Sequence, residues 1–193
     1  MVKTASTMLP LGTTAPDFAL PDVQTDKTIG LAMFESQAAL LVIFFCQHCP
    51  FVKHVEQELA RIGQDYQTQS LGIVAISAND ITTHPSDDPA HLKAMGDRLG
   101  FTFPVCYDAS QAVAKAYTAA CTPDFFLFDG DRRLVYRGQL DDSRPGSNQP
   151  VTGADLRRAI DQVLGGQAVD PEQKPSIGCN IKWTPGNEPD YFG

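Results

Sequence analysis

The chain has 193 residues, 42% of them hydrophobic and 20% charged, which suits a soluble domain with a full core. A net charge of -8 disfavours nucleic acid and anionic membranes as partners. No apolar run approaches the roughly 20 residues of a membrane span. The opening stretch MVKTASTMLPLGTTAPDF also lacks the apolar core of a signal peptide, so a cytoplasmic location is expected. In a reducing compartment, five cysteines point to catalysis rather than to a set of structural disulfides.

Residues 1–14 are polar and turn-rich, and a loose lead-in is expected there. Phe18 and Leu20, then Ile29 and Leu31, flank a turn at Asp26-Lys27, which predicts a small β-hairpin. Leu40–Phe45 is a short apolar run with β-branched and aromatic residues, the pattern of a buried strand. Two cysteines follow, Cys46 and Cys49, and then Pro50, which suits the first turn of a helix. Phe51, Val55, Leu59, Ile62 and Tyr66 recur at helical spacing, so a helix is expected to about Gln67. Leu71–Ser77 reads as a second buried strand, and Asp88 with Pro89 opens a helix to about Leu99. Phe103–Tyr107 is a short strand, with a helix capped by Ser110 after it. Asp124–Phe128 and Arg133–Arg137 flank a DGDR turn, and Gly153–Leu164 is a last amphipathic helix. Residues 166–193 lack periodicity and are expected to pack as an extended C-terminal tail on a domain of residues 15–165. The order predicts an α/β chain with a mixed central sheet, helices on both faces, and the hairpin as an N-terminal extension.

Cys46 and Cys49 thus stand at a strand-to-helix junction, a C-x-x-C in a βα context. The N–H groups and dipole of a helix N-terminus favour an anion, so a thiol there loses its proton more easily. Cys46, as the cysteine at the exposed end, is expected to attack a partner disulfide, with Cys49 resolving the mixed disulfide. A structural zinc site needs four ligands. Cys106, Cys121 and Cys179 are singletons, and His84 and His91 show no ligand spacing, so neither a metal nor another cofactor is expected.

Three segments carry a resemblance. APDFAL (Ala15–Leu20), FFCQHCPF (Phe44–Phe51) and CTPDFFLFDGDRRLVYRG (Cys121–Gly138) resemble the thioredoxin-like superfamily, and within it the peroxiredoxin-like branch. The resemblance covers about Ala15 to Leu164 and implies a thioredoxin-like fold. It implies a cis Thr122-Pro123 bond with Thr122 facing the cysteines, and a loop shaped by Pro50 and Pro123. The Thr122 backbone would then be open to an extended substrate segment. His48, just before the second cysteine, resembles the more oxidising members; protonated, it would stabilise the Cys46 thiolate. Cys121 lies one residue from the proposed cis bond, near the site or as a buried strand-end thiol. Cys179 reads as an extra resolving cysteine on a folded-back tail, or as part of a tail anchored by Ile177, Ile181 and Trp183.

The chain departs from peroxiredoxins at the threonine three residues before the peroxidatic cysteine. Ile43 holds that place before Cys46, and Cys46 holds it before Cys49. Arg137 is the candidate guanidinium for a peroxide site. The leading expectation is a thiol–disulfide oxidoreductase acting on protein disulfides or small thiols. The alternatives are a thiol peroxidase acting on hydroperoxides with an antioxidant role, or a copper chaperone. Sco-type chaperones, which share the fold, space their cysteines C-x-x-x-C and place a histidine far downstream, whereas no histidine follows His91 here.

Overall fold

The structure is a computed structural model, and it describes residues 3–192. Its elements in chain order are β1 (Lys3–Ala5), β2 (Ala19–Pro21), β3 (Thr28–Gly30), β4 (Ala39–Phe44), α1 (Pro50–Asp65), β5 (Leu71–Ser77) and α2 (Pro89–Leu99). There follow β6 (Val105–Tyr107), α3 (Ala112–Ala116), β7 (Cys121–Thr122), β8 (Asp124–Asp129), β9 (Leu134–Tyr136), α4 (Ala154–Leu164) and β10 (Ile177–Asn180).

The central sheet runs β6-β5-β4-β8-β9. β4, β5 and β6 are parallel, and β8 and β9 are antiparallel. β4 is buried along its whole length, which is why its sequence is apolar without alternation. The pleat still sorts its residues. Leu41 and Ile43 join the core under α1, α2 and α4, with Val55, Leu59, Leu92, Met95, Leu156 and Ile160. Leu40, Val42 and Phe44 join a second core with Val113 of α3 and Tyr117 just after it, Leu20 and Ile29 of the hairpin, and Ile181 and Trp183 of the tail. The fold is thus thioredoxin-like, with both sheet faces covered.

Capping explains both ends of α2. Asp88 accepts from the His91 N–H at the start of α2, and Gly100 ends it in the left-handed region at φ 66°. α1 begins at Pro50 with Cys49 as its N-cap. α1 and α4 are joined through Glu58, which is buried and meets Arg157 Nε at 2.7 Å.

The two ends of the chain differ from the sequence reading. β1 lies inside the expected loose lead-in and pairs antiparallel with β10, and β10 pairs antiparallel with β7. This second sheet, β1-β10-β7, ties both termini to the Thr122-Pro123 segment. Strands of two to four residues joined to partners more than fifty residues away leave no local periodicity to read. At α3 the N-cap is Gln111, in the left-handed region, rather than Ser110.

Candidate redox site

β4 ends at Phe44, and the chain turns through residues 45–49 into α1. Thr122-Pro123 is a cis peptide bond, and Thr122 lies against both sulfurs. Cys46 Sγ lies 3.3 Å from Thr122 Oγ1. In its protonated form Cys49 donates to the Thr122 carbonyl oxygen at 3.2 Å.

The expectation that Cys46 is the more exposed cysteine needs correction. Both cysteines are 0% exposed, and the residue at the helix N-terminus is Cys49. The strand β10 and the Thr122-Pro123 segment lie over the helix end that sequence periodicity left open. Exposure therefore does not choose the nucleophile, and electrostatics separates the two sulfurs instead.

Cys46 and Cys49 interact and titrate as a pair. The interaction with Cys46 holds Cys49 down at about 4; burial opposes it, and the contacts with Cys179, Thr122 and the Val52 N–H add to the lowering. The same interaction pushes Cys46 well above the usual thiol range, with burial and the Asp87 carboxylate adding to it. The pair therefore carries one thiolate near neutral pH, centred on Cys49 in this geometry.

The loop between the cysteines is held by Asp87, which the sequence reading did not single out. Asp87 is fully buried. One carboxylate oxygen accepts the Gln47 and His48 backbone N–H groups at 2.9 and 3.0 Å. The other lies 2.5 Å from His48 Nδ1 and accepts from Asn79 Nδ2 at 2.8 Å. Burial pushes the Asp87 carboxyl up, but the hydrogen bonds from His48 and Asn79 outweigh it and hold the group below its usual range. The His48 ring lies 4.8 Å from that of His84. A signal for Asp87 existed in the sequence only as an acid in a polar loop. Its role depends on a fold-back of some forty residues.

The other named residues fall as follows. Pro50 is the first residue of α1. Cys121 is buried beside the cis bond, 3.6 Å from the Pro123 carbonyl, and burial with the Asp124 charge pushes its thiol up. Arg137 is turned to other partners: Nε donates to the Leu9 carbonyl at 2.8 Å, and a terminal nitrogen donates to Gln173 Oε1 at 2.8 Å. Asp124, adjacent to Pro123, is a fully buried acid that burial raises to about 7. Among the described residues, Cys46, His48 and Asp87 offer metal-ligand atoms within 4.8 Å of one another. Two of those groups are already committed to the His48–Asp87 contact.

The expectation of a Thr122 backbone open to substrate also needs correction. β10 occupies that edge, with Cys179 opposite Thr122 and Asn180 opposite Cys121. This brings Cys179 Sγ to 2.8 Å from Cys49 Sγ.

Comparison with known proteins fits this architecture. The sequence profile of the AhpC/TSA family matches residues 11–137. The thiol-disulfide oxidoreductase ResA of Geobacillus thermodenitrificans is 27% identical over 133 residues, covering 68% of this chain and 70% of that protein. A crystal structure of an uncharacterized conserved protein from Geobacillus kaustophilus superposes with a TM-score of 0.94 at 50% identity, covering 96% of this chain and 98% of that one. A thiol:disulfide interchange protein of the thioredoxin family from Chlorobium tepidum TLS is similar in fold, with a TM-score of 0.62 at 18% identity over 81% of this chain and 99% of that one.

Proposed function

Because the chain belongs to the AhpC/TSA family, we propose that it is a thiol–disulfide oxidoreductase whose Cys46–Cys49 pair exchanges electrons with disulfides of partner proteins or small thiols. The observation that carries this reading is the pair of buried sulfurs where β4 turns into α1, with Cys46 Sγ 3.3 Å from Thr122 Oγ1 and Cys49 Sγ 3.2 Å from the Thr122 carbonyl oxygen, beside cis-Pro123. A single shared charge next to a helix N-terminus is what a nucleophilic dithiol requires.

The exchange proceeds in two balanced displacements. As a substrate disulfide arrives, the proton on Cys46 passes to Cys49, and the Cys46 thiolate attacks one substrate sulfur. The other substrate sulfur leaves as a thiolate. Cys49 then gives up its proton and attacks Cys46 Sγ in the mixed disulfide. The second substrate thiolate leaves, the Cys46–Cys49 disulfide closes, and two electrons have passed to the substrate. Cys46 takes the outside partner because Cys49 is flanked by the Thr122 carbonyl and by Cys179. Both sulfurs are buried, so a partner reaches them only as the covering segment shifts.

Parallel assays test the reading, one following reduction of insulin disulfides and the other consumption of hydroperoxide, each with a dithiol supplying electrons. Disulfide reduction that is lost in Cys46→Ser and in Cys49→Ser is expected. Rapid peroxide consumption without disulfide reduction would establish the peroxidase reading in its place.

A further inference from the structure

We infer that Cys179 is a third redox cysteine, which forms a disulfide with Cys49 inside the same chain. The inference rests on the reading of Cys46 and Cys49 as the exchanging pair. Its basis is the position of Cys49, three residues from Cys46 at the start of α1 and with its sulfur 2.8 Å from Cys179 Sγ. A disulfide bond needs its sulfurs about 2.05 Å apart, so closure asks for a movement of under about 1 Å.

The placement of Cys179 is built into the fold. β10 is held on both sides, by β1 at Lys3↔Cys179 and by β7 at Cys179↔Thr122. Ser176 Oγ donates to the Pro123 carbonyl at 2.6 Å just before the strand, and Ile181 and Trp183 are buried just after it. Gly178 permits the approach: a Cβ there would stand 1.9 Å from the Thr122 carbonyl oxygen, so any other residue would push β10 away. The strand lies along the Thr122 backbone as an added β-strand ligand would. Its cysteine therefore meets Cys49 from the side on which a bound extended peptide would lie.

The step is redox-neutral and needs no added reagent once the Cys46–Cys49 disulfide exists. The Cys179 sulfur attacks Cys49 Sγ, the Cys46–Cys49 bond breaks, and the Cys49–Cys179 bond forms. Cys46 leaves as a thiolate and takes up the proton that Cys179 gave up. The oxidised chain then holds its disulfide between α1 and the tail, and Cys46 is again a thiol.

Peptide mapping of the whole chain, without reduction, tests this. Trypsin leaves Cys46 and Cys49 together in residues 28–53, and Cys179 in residues 159–182, because a proline follows Lys174. The protein is equilibrated with oxidised and reduced glutathione, acid-quenched, alkylated and digested. A cross-linked pair of these two peptides is expected in the wild type. It should be the dominant oxidised product in Cys46→Ser and be lost in Cys179→Ser, which keeps the link internal to residues 28–53. If Cys179 is alkylated as a thiol in both the wild type and Cys46→Ser while Cys46–Cys49 closes, the inference is overturned and the proposed function stands. Absence of both links overturns both.

Discussion

One carboxylate oxygen of Asp87 lies 2.5 Å from His48 Nδ1, and the other accepts the N–H groups of Gln47 and His48. A single buried acid thus fixes both the backbone and the side chain of the loop between the two redox cysteines. It also places a negative charge beside Cys46 that opposes ionisation there. Asp87→Ala leaves two loop N–H groups and the Asn79 amide without their acceptor, and a stability loss of about 3–5 kcal/mol is expected by chemical denaturation. Asp87→Asn keeps an acceptor but removes the charge. It should unfold at higher denaturant than Asp87→Ala and shift the thiol titration of Cys46 to lower pH. Equal stability of the wild type and Asp87→Ala would show that Asp87 does not hold the loop.

The strand, the C-x-x-C and the helix that follows were legible because each is written locally. The run Leu40–Phe45 is too apolar for a loop, Pro50 marks a helix start, and Asp88-Pro89 marks another. The cis geometry of Thr122-Pro123 came from the family resemblance rather than from its own residues. Asp87 was not legible as a partner of the site, and Cys179 was legible only as one of two readings of the tail. Each reaches it through contacts with high sequence separation, thirty-nine residues for His48–Asp87 and one hundred and thirty for Cys49–Cys179. The expected exposure of Cys46 failed for the same reason: Thr122, seventy-six residues away, lies against its sulfur.

The charge shared by the cysteines has a signature in pH. The Cys49 thiol is lowered to about 4, chiefly by its interaction with Cys46. Ultraviolet thiolate absorbance of the reduced protein should therefore persist at neutral pH and disappear as pH falls through about 4. In Cys46→Ser the hydroxyl is a weaker partner, and the midpoint should rise. A wild-type midpoint near the ordinary thiol value of about 8.5 would contradict the shared-charge arrangement.

Division of labour is tested by trapping. Cys49→Ser should hold partners as mixed disulfides on Cys46, since the resolving sulfur is gone. Cys46→Ser should hold few, because the remaining Cys49 lies 2.8 Å from Cys179 and closes onto it. Capture on non-reducing gels reads the difference. Comparable trapping by the two variants would refute the assignment.

Peroxide reduction is the second chemistry that the family raises. The Arg137 guanidinium is bonded to Leu9 and Gln173, and Ile43 stands where peroxiredoxins carry threonine. Thr122 Oγ1 lies within 3.3 Å of Cys46 and is the hydroxyl at hand, without a guanidinium to complete transition-state positioning. The second-order rate of Cys46 oxidation by hydrogen peroxide should be that of an ordinary thiol, and Arg137→Ala should not alter it. A fast rate that this variant abolishes would reinstate the peroxidase.

The central claim, that this chain cycles between a dithiol and a disulfide through Cys49, is tested most directly by redox titration in glutathione buffers with thiol alkylation as the readout. The account predicts one reversible two-electron transition in the wild type, with a tenfold change in equilibrium constant per about 30 mV. It predicts that Cys49→Ser abolishes the internal disulfide and leaves at most a glutathione mixed disulfide on Cys46, because Cys49 belongs to both candidate disulfides. No transition in the wild type, or an unchanged one in Cys49→Ser, would contradict it.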